Sequence, residues 1–188
     1  MRIITGTARG TGLVTLEGEE ITRPTTEKVK EGVFSAIQFD LEGRRVLDLF
    51  AGCGQLGLEA LSRGAESAVF TDASDKAIAV VKQNAQKTGL YQKSLILCSG
   101  YKEYLKSAKD KREFDIVFVD PPYQSEMGKD AVRRLSEGGL LSEGALVIWE
   151  TDDKNAEFDE ASYSLRKQYR YGKTYVYILV YKGSGNNE

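Results

Sequence analysis

Asp120-Pro121-Pro122-Tyr123 is the segment whose residue types carry the most chemistry. An exocyclic amine on a nucleobase is a poor nucleophile, because its lone pair is delocalised into the ring. A carboxylate and a neighbouring backbone carbonyl that accept its two N–H bonds favour the pyramidal, nucleophilic geometry as an electrophile arrives. Two consecutive prolines make a rigid loop with no N–H at either position, which leaves carbonyls to face a site. Tyr123 can stack on an extruded base and hold it in line. Such a set needs neither a metal nor a covalent nucleophile. The composition agrees: histidine is absent and Cys53 and Cys98 are the two cysteines. That absence excludes Ser-His-Asp hydrolysis, a histidine base and imidazole-ligated zinc. A strand-end turn can have this composition without any ligand, so a second motif at the same edge is needed.

Asp48-Leu49-Phe50-Ala51-Gly52-Cys53-Gly54-Gln55-Leu56-Gly57 supplies it. Gly52, Gly54 and Gly57 satisfy G-x-G-x-x-G between an apolar strand and a helix. Asp72 ends the next strand, twenty residues after Gly52, placed to accept hydrogen bonds from ribose hydroxyls. A nucleotide-like cofactor follows, and two compete. A nicotinamide dinucleotide suits the glycines and the acid, but it needs a pyrophosphate site, and no second domain remains for a hydride acceptor. The Tyr163-to-Lys167 spacing lies in a period-two segment rather than on a helix. S-adenosylmethionine, with an amino-acid end and no phosphate, suits Asp48 ahead of the loop, and the Asp120 segment decides in its favour.

The elements that must position these motifs are legible as alternating strands and helices. Apolar runs at Val46–Phe50, Ala68–Thr71, Leu95–Cys98, Phe114–Val119 and Ala145–Trp149 are separated by helical periodicities, which argues for a parallel sheet covered on both faces. Asp75 is placed to cap one helix, and Thr25 or Thr26 another. The rhythm breaks at the end, where Tyr163–Tyr171 and Thr174–Tyr181 read as a hairpin joined at Gly172-Lys173. Tyr175, Tyr177 and Tyr181 share one face there, a row used more often for sheet packing than for stacking bases. Residues 1–22 read as a short, glycine-punctuated β arm. The polar stretch Thr151–Ala161 is too polar for a full covering helix.

The chain has 188 residues, is 41% apolar and 29% charged, and fits one domain with a real core. Two lone thiols suit a reducing compartment, and Met1–Gly12 lacks an apolar leader, so a cytoplasmic, metal-free monomer is expected. The formal net charge of −2 hides an uneven distribution. Arg2 and Arg9 in the arm and Arg166, Lys167, Arg170, Lys173 and Lys182 near the end stand in acid-free stretches. A local positive face from Arg2, Arg9, Arg23, Lys28, Lys30 and the last hairpin is expected, with salt-sensitive RNA binding. Solvated surface strands would carry the same charges.

Asp48 to Gly54 and Asp120 to Tyr123 resemble the cofactor and catalytic motifs of class I amino-methyltransferases. Arg2-Ile3-Ile4, the run Thr22-Arg23-Pro24-Thr25-Thr26-x-Lys28-Val29-Lys30-Glu31-x-Val33-Phe34, and Leu56 to Ala65 are similar to the RsmD-type 16S rRNA guanine-N2 methyltransferases. Tyr171-Gly172-Lys173-Thr174 fits their last hairpin. The resemblance implies a Rossmann-like seven-stranded α/β sheet, mostly parallel, with an antiparallel C-terminal hairpin and an N-terminal β arm and helix. Residues 1–182 would form the single domain, with 1–40 touching RNA, and 183–188 a disordered tail.

It further implies methyl transfer from S-adenosylmethionine to N2 of one guanine in 16S ribosomal RNA, free or in an assembling small subunit. By position, Asp48, Phe50, Ala51, Gly52, Gly54, Asp72, Ser99 and Gly100 would hold cofactor. Asp120, Pro121, Pro122 and Tyr123 would be catalytic, and Arg9, Arg23, Pro24 and Thr25 would meet RNA. The loop after the third strand departs from the family, offering Ser99 where an acidic or amide side chain usually meets the adenine amine. The alternatives are adenine-N6 methylation of nucleic acid, a glutamine amide, and a non-catalytic ribosome-assembly factor of the same fold. An oxidoreductase is the most remote.

Overall fold

The computed structural model describes residues 1–16, 24–111, 113–122 and 126–183. Seven strands form one sheet: β1 (Arg45–Asp48), β2 (Ser67–Asp72), β3 (Ser94–Cys98), β4 (Phe114–Val119), β5 (Leu141–Thr151), β6 (Tyr163–Tyr171) and β7 (Thr174–Tyr181). Their order is β3-β2-β1-β4-β5-β7-β6. The first five are parallel, and β7 runs antiparallel to both β5 and β6. Chain order reverses between β1 and β4, and the crevice outside the carboxyl ends of those strands is where open α/β sheets bind ligands. This is the mostly parallel seven-stranded sheet, with an antiparallel C-terminal hairpin, that the strand rhythm and the resemblance anticipated.

Alternation within each strand builds two core layers. Val46, Phe70, Phe118, Ile148 and Ile178 point to one face, beneath α1 (Pro24–Ala36), α2 (Gln55–Ser62) and α3 (Asp75–Lys87). Leu47, Val117, Val147 and Leu179 point to the other, beneath α4 (Tyr101–Ala108) and α5 (Met127–Glu137). Tyr177 and Tyr181 are buried in this second layer, so the tyrosine row packs the sheet. Among the described residues, no helix is long and apolar enough to cross a membrane.

Several local expectations change. The helix α1 opens at Pro24, whose missing N–H costs nothing in a first turn, so Thr25 and Thr26 lie inside the helix rather than capping it. The cap of α3 is Ser74, whose hydroxyl accepts the Ala77 N–H at 3.3 Å, and Asp75 is the first helical residue. β5 begins at Leu141, ahead of the apolar run, because Leu141 pairs with Phe114 before a register shift. Between β5 and β6 there is no helix, as expected from the polarity of Thr151–Ala161, and Tyr177 Oη there accepts the Ala156 N–H.

Among the described residues, the N-terminal arm is a short irregular hairpin, with an Arg2–Gly12 bridge and backbone bonds from Ile3 to Thr11 and from Leu13 to Met1, while residues 17–22 of the expected arm lie outside the described residues. Three buried polar side chains of the core also hold it. Glu59 in α2 accepts the N–H groups of Ile4 at 2.8 Å and Thr5 at 3.0 Å. Ser62 Oγ accepts from Ala8 N–H and donates to the Thr5 carbonyl. Asn84 in α3 pairs with both backbone groups of Val14.

Candidate active site at the carboxyl edge of the sheet

The glycine loop turns the chain from β1 into α2 over the switch point. Gly52 and Gly54 have φ of +54° and +80°, a region that L side chains rarely adopt. Gly57 lets α2 lie against β2, because a Cβ there would stand 2.3 Å from the Phe70 ring. Gly57→Ala should therefore cost about 1–3 kcal/mol through overpacking, read as a lowered midpoint in a thermal melt.

Two carboxylates shape the loop from below and beside. Asp72, at the end of β2, accepts the Gly52 N–H at 3.0 Å and the Ser74 N–H at 2.9 Å. It links the loop to the start of α3 while staying half-buried at the edge. Asp48 is buried behind the loop, where it accepts the Gly57 N–H at 2.9 Å. Its bond is to the glycine turn, so it steadies the loop from behind. Burial pushes its carboxyl up to about 7, against the Gly57 hydrogen bond, which favours the charged form. The folded chain thus holds this proton more tightly than the unfolded chain does. Its contribution to stability is full below the ordinary carboxylate range and is lost as pH rises through about 7. Asp48→Asn keeps an acceptor for Gly57, so it should match the parent near about pH 4 and melt several degrees higher at about pH 8.

The edge beyond β2 is formed by Ser99 and Gly100. Ser99 N–H bonds the Asp72 carbonyl at 2.9 Å, and Gly100 precedes α4. The Glu103 carboxylate folds over Gly100, within 2.4 Å of where a Cβ would stand. Phe50 and Tyr101 face each other with centroids 5.3 Å apart. Tyr101 Oη donates to Asp130 at 3.0 Å, tying α4 to α5. Burial opposes the charged form of Asp130, but bonds from Arg134, Arg133 and Tyr101 outweigh it and hold the carboxyl at about 2.

Asp120 follows β4 on the α1 side of the sheet. It lines a narrow cavity with Val29, Lys30 and Val33 of α1, Gln55, Phe118, Ile148 and Glu150. The cavity is about 20 Å³, room for a single water and too small for a nucleobase as its walls stand. Pro121 packs near Gly128 at the start of α5, where a Cβ would be 3.2 Å from its ring. Pro122 is exposed.

The structure therefore brings Asp48, Phe50, Ala51, Gly52, Gly54, Asp72, Ser99, Gly100, Asp120, Pro121 and Pro122 to one edge. Pro24 and Thr25 open α1, the helix that walls the Asp120 cavity. Arg9 is exposed on the arm, just past the turn bonded to Ser62 in the last turn of α2, away from the loop. Arg23 and Tyr123 lie outside the described residues. Lys30 does not belong to any positive face: it is buried, 2.9 Å from both Glu59 and the Arg2 carbonyl. Sequence reasoning missed Tyr101, Asn84 and Gln55. Asn84 donates to the Cys53 carbonyl inside the glycine loop at 2.9 Å as well as to the arm. Gln55 Oε1 is buried with no hydrogen-bond partner among the described residues, an acceptor facing the Asp120 cavity. Tyr101, beside Gly100 at a strand end, had a positional signal; the other two had none.

The open space beside Gly52, where a Cβ would meet nothing within 4 Å, and the acidic edge at Asp72 fit a cofactor with a ribose. Known proteins point the same way. A family model described as "Conserved hypothetical protein 95" matches residues 1–180. YlbH of Bacillus subtilis (strain 168) is 39% identical over 188 residues, covering 97% of this chain and all of its own. Ribosomal RNA small subunit methyltransferase D of Haemophilus influenzae is 34% identical, covering 89% of this chain and 87% of that one. Among solved structures, yhhF from Escherichia coli superposes with a TM-score of 0.86 at 28% identity, covering 98% and 99% of the two chains. A Salinibacter ruber RNA methyltransferase in complex with S-adenosyl-L-homocysteine shares the fold, with a TM-score of 0.64 at 17% identity over 88% of this chain and 97% of that one. The chain belongs to the Conserved hypothetical protein 95 family, that of the small-subunit ribosomal RNA methyltransferases D.

Proposed function

We propose that this protein methylates the exocyclic N2 of a specific guanine in 16S ribosomal RNA, with S-adenosylmethionine as donor. The observation that carries the reading is the placement of Asp120 beside the glycine loop, at the switch point and against an α1-walled cavity. The coarser statement, an S-adenosylmethionine-dependent rRNA methyltransferase, agrees with the printed names of its relatives. The guanine N2 atom is the finer step, and it rests on the resemblance and on the chemistry of Asp120-Pro121-Pro122.

When bound, the cofactor supplies an electrophilic methyl group on its sulfonium. The chain's own residues do the rest. Asp72 holds a ribose through the lone pairs left after its bonds to Gly52 and Ser74, and the glycines leave room for the amino-acid end. The Asp120 carboxylate and a carbonyl of the proline pair accept the two N–H bonds of the target amine, turning its lone pair toward the methyl. Asp120 then takes up the proton that the amine loses. Tyr123 stacks on the base in this scheme. The apolar walls Val29, Val33 and Ile148 exclude water from the approach.

Calorimetric titration tests the cofactor half. S-adenosylmethionine should bind, and Asp72→Ala should weaken it by about ten- to a hundredfold, the loss of charged hydrogen bonds. Equal affinity in the variant would remove Asp72 from the site. A second reading, adenine N6 as target, uses the same Asp120 geometry and is separated from the first by the modified nucleoside.

A further inference from the structure

The acid-free cations of the last hairpin are sorted by the fold onto different faces. After a bulge between Leu165 and Lys167, the residues Lys167, Tyr169 and Tyr171 pair with Ile178, Val176 and Thr174. Val176 and Ile178 pack in the α1 layer of the core, so Lys167, Tyr169 and Tyr171 stand on the α1 side. That is the side on which Asp120 lines its cavity. Thr151, at the carboxyl end of β5, lies opposite Tyr175, which puts the β6–β7 turn and Tyr171 at the same edge as Asp120.

These residues form a basic, aromatic strip. The Tyr169 and Tyr171 rings stack with centroids 6.2 Å apart and planes 28° from parallel. Lys167 Nζ lies 5.4 Å from the Tyr169 centroid. Tyr171 is wedged against α1 at Gly32, where a Cβ would stand 1.8 Å from its hydroxyl. Lys28, one helical turn before Gly32 and on the same flank, is exposed. Arg166 is drawn away by its ion pair with Asp40 at 2.9 Å, whereas neither Lys28 nor Lys167 is ion-paired among the described residues. Unlike Tyr177 and Tyr181, which are buried, Tyr169 is part-exposed on the edge strand.

We propose that Lys28, Lys167 and Tyr169 form a subsite for the single-stranded RNA that flanks the target nucleotide. One flanking base stacks on Tyr169, and the phosphates on either side meet the two lysines. A part-exposed ring flanked by two exposed cations, one of which (Lys167) lies over it and can swing to a phosphate as a base takes its place, tolerates any base and tracks a backbone, the combination that single-strand sites use. The subsite rests on the RNA methyltransferase reading, and it delivers the strand to the Asp120 edge from the β6 side.

The test uses the full chain, a labelled single-stranded fragment of 16S rRNA for binding, and small-subunit RNA for turnover. Tyr169→Ala should raise KM for RNA about tenfold while kcat and cofactor Kd stay unchanged, and Tyr169→Phe should remain within about twofold of the parent. Lys28→Ala combined with Lys167→Ala should lower the slope of log affinity against log salt by about 1.4, the value for two phosphates on a single strand. Unchanged cofactor Kd establishes that each variant is folded. Parental KM in Tyr169→Ala, together with an unchanged salt slope, overturns the subsite. A parent that binds the fragment but transfers no methyl refutes the methyltransferase reading alone, and the binding data on the variants still decide the strip. A parent that does not bind the fragment overturns the strip.

Discussion

Asp120→Ala is expected to bind S-adenosylmethionine as the parent does and to transfer methyl about 10²–10³-fold more slowly in kcat. The expectation follows from where the carboxylate sits. Asp120 lines the cavity under α1, while the loop around Gly52 is organised by Asp72 and Asp48, neither of which depends on it. Losing Asp120 therefore removes an acceptor needed as the amine pyramidalises and leaves the cofactor crevice intact. Single-turnover methyl transfer with saturating RNA, alongside calorimetry of the cofactor, separates the two effects. A variant that turns over within tenfold of the parent would take Asp120 out of the chemistry. Asp120→Asn keeps one acceptor oxygen but brings N–H donors toward a target that needs acceptors, so it should rescue only part of the rate.

Glu59→Ala should be strongly destabilising. Glu59 is fully buried and receives four donors: Ile4 N–H, Thr5 N–H, Lys30 Nζ and Arg63 Nε. Burial raises its pKa, but Lys30, the Ile4 N–H and Arg63 outweigh that and hold it below the usual carboxylate range, so it is ionised in the folded chain. Truncation leaves a buried lysine without its counter-charge and two arm N–H groups without acceptors. Breaking such a pair costs about 3–5 kcal/mol, or a melting midpoint about 10 °C lower in a chain of this size. Lys30→Met should cost less, because Glu59 keeps Arg63 and both backbone donors while the methionine fills a similar volume. A Glu59→Ala midpoint within about 2 °C of the parent would mean that the arm is held by its apolar contacts alone.

The motifs of the candidate site were legible in the sequence because its parts are local. Strand-end acids, a glycine turn and a double proline announce themselves within ten residues, and parallel-strand periodicity puts them at one edge. The hairpin was legible too, since two β-rich runs, Tyr163–Tyr171 and Thr174–Tyr181, meet at Gly172-Lys173, although the bulge between Leu165 and Lys167 was not. What stayed hidden depends on partners far along the chain. Asn84 bonds Val14, seventy residues away, and Lys30 reads locally as an exposed helix cation although Glu59 and the Arg2 carbonyl enclose it. Apolar periodicity finds which side of α3 is buried, and it passes over a polar residue buried to receive the arm. The cap at Ser74 was displaced by one residue because Asp72 claims the Ser74 N–H and fixes the entry to α3.

The measurement closest to the centre of the account is transfer of labelled methyl from S-adenosylmethionine to small-subunit RNA lacking this modification, digested to nucleosides. The account predicts label in N2-methylguanosine alone, from naked rRNA or from small-subunit particles. Label in N6-methyladenosine, or none in RNA while the cofactor is bound, would contradict it.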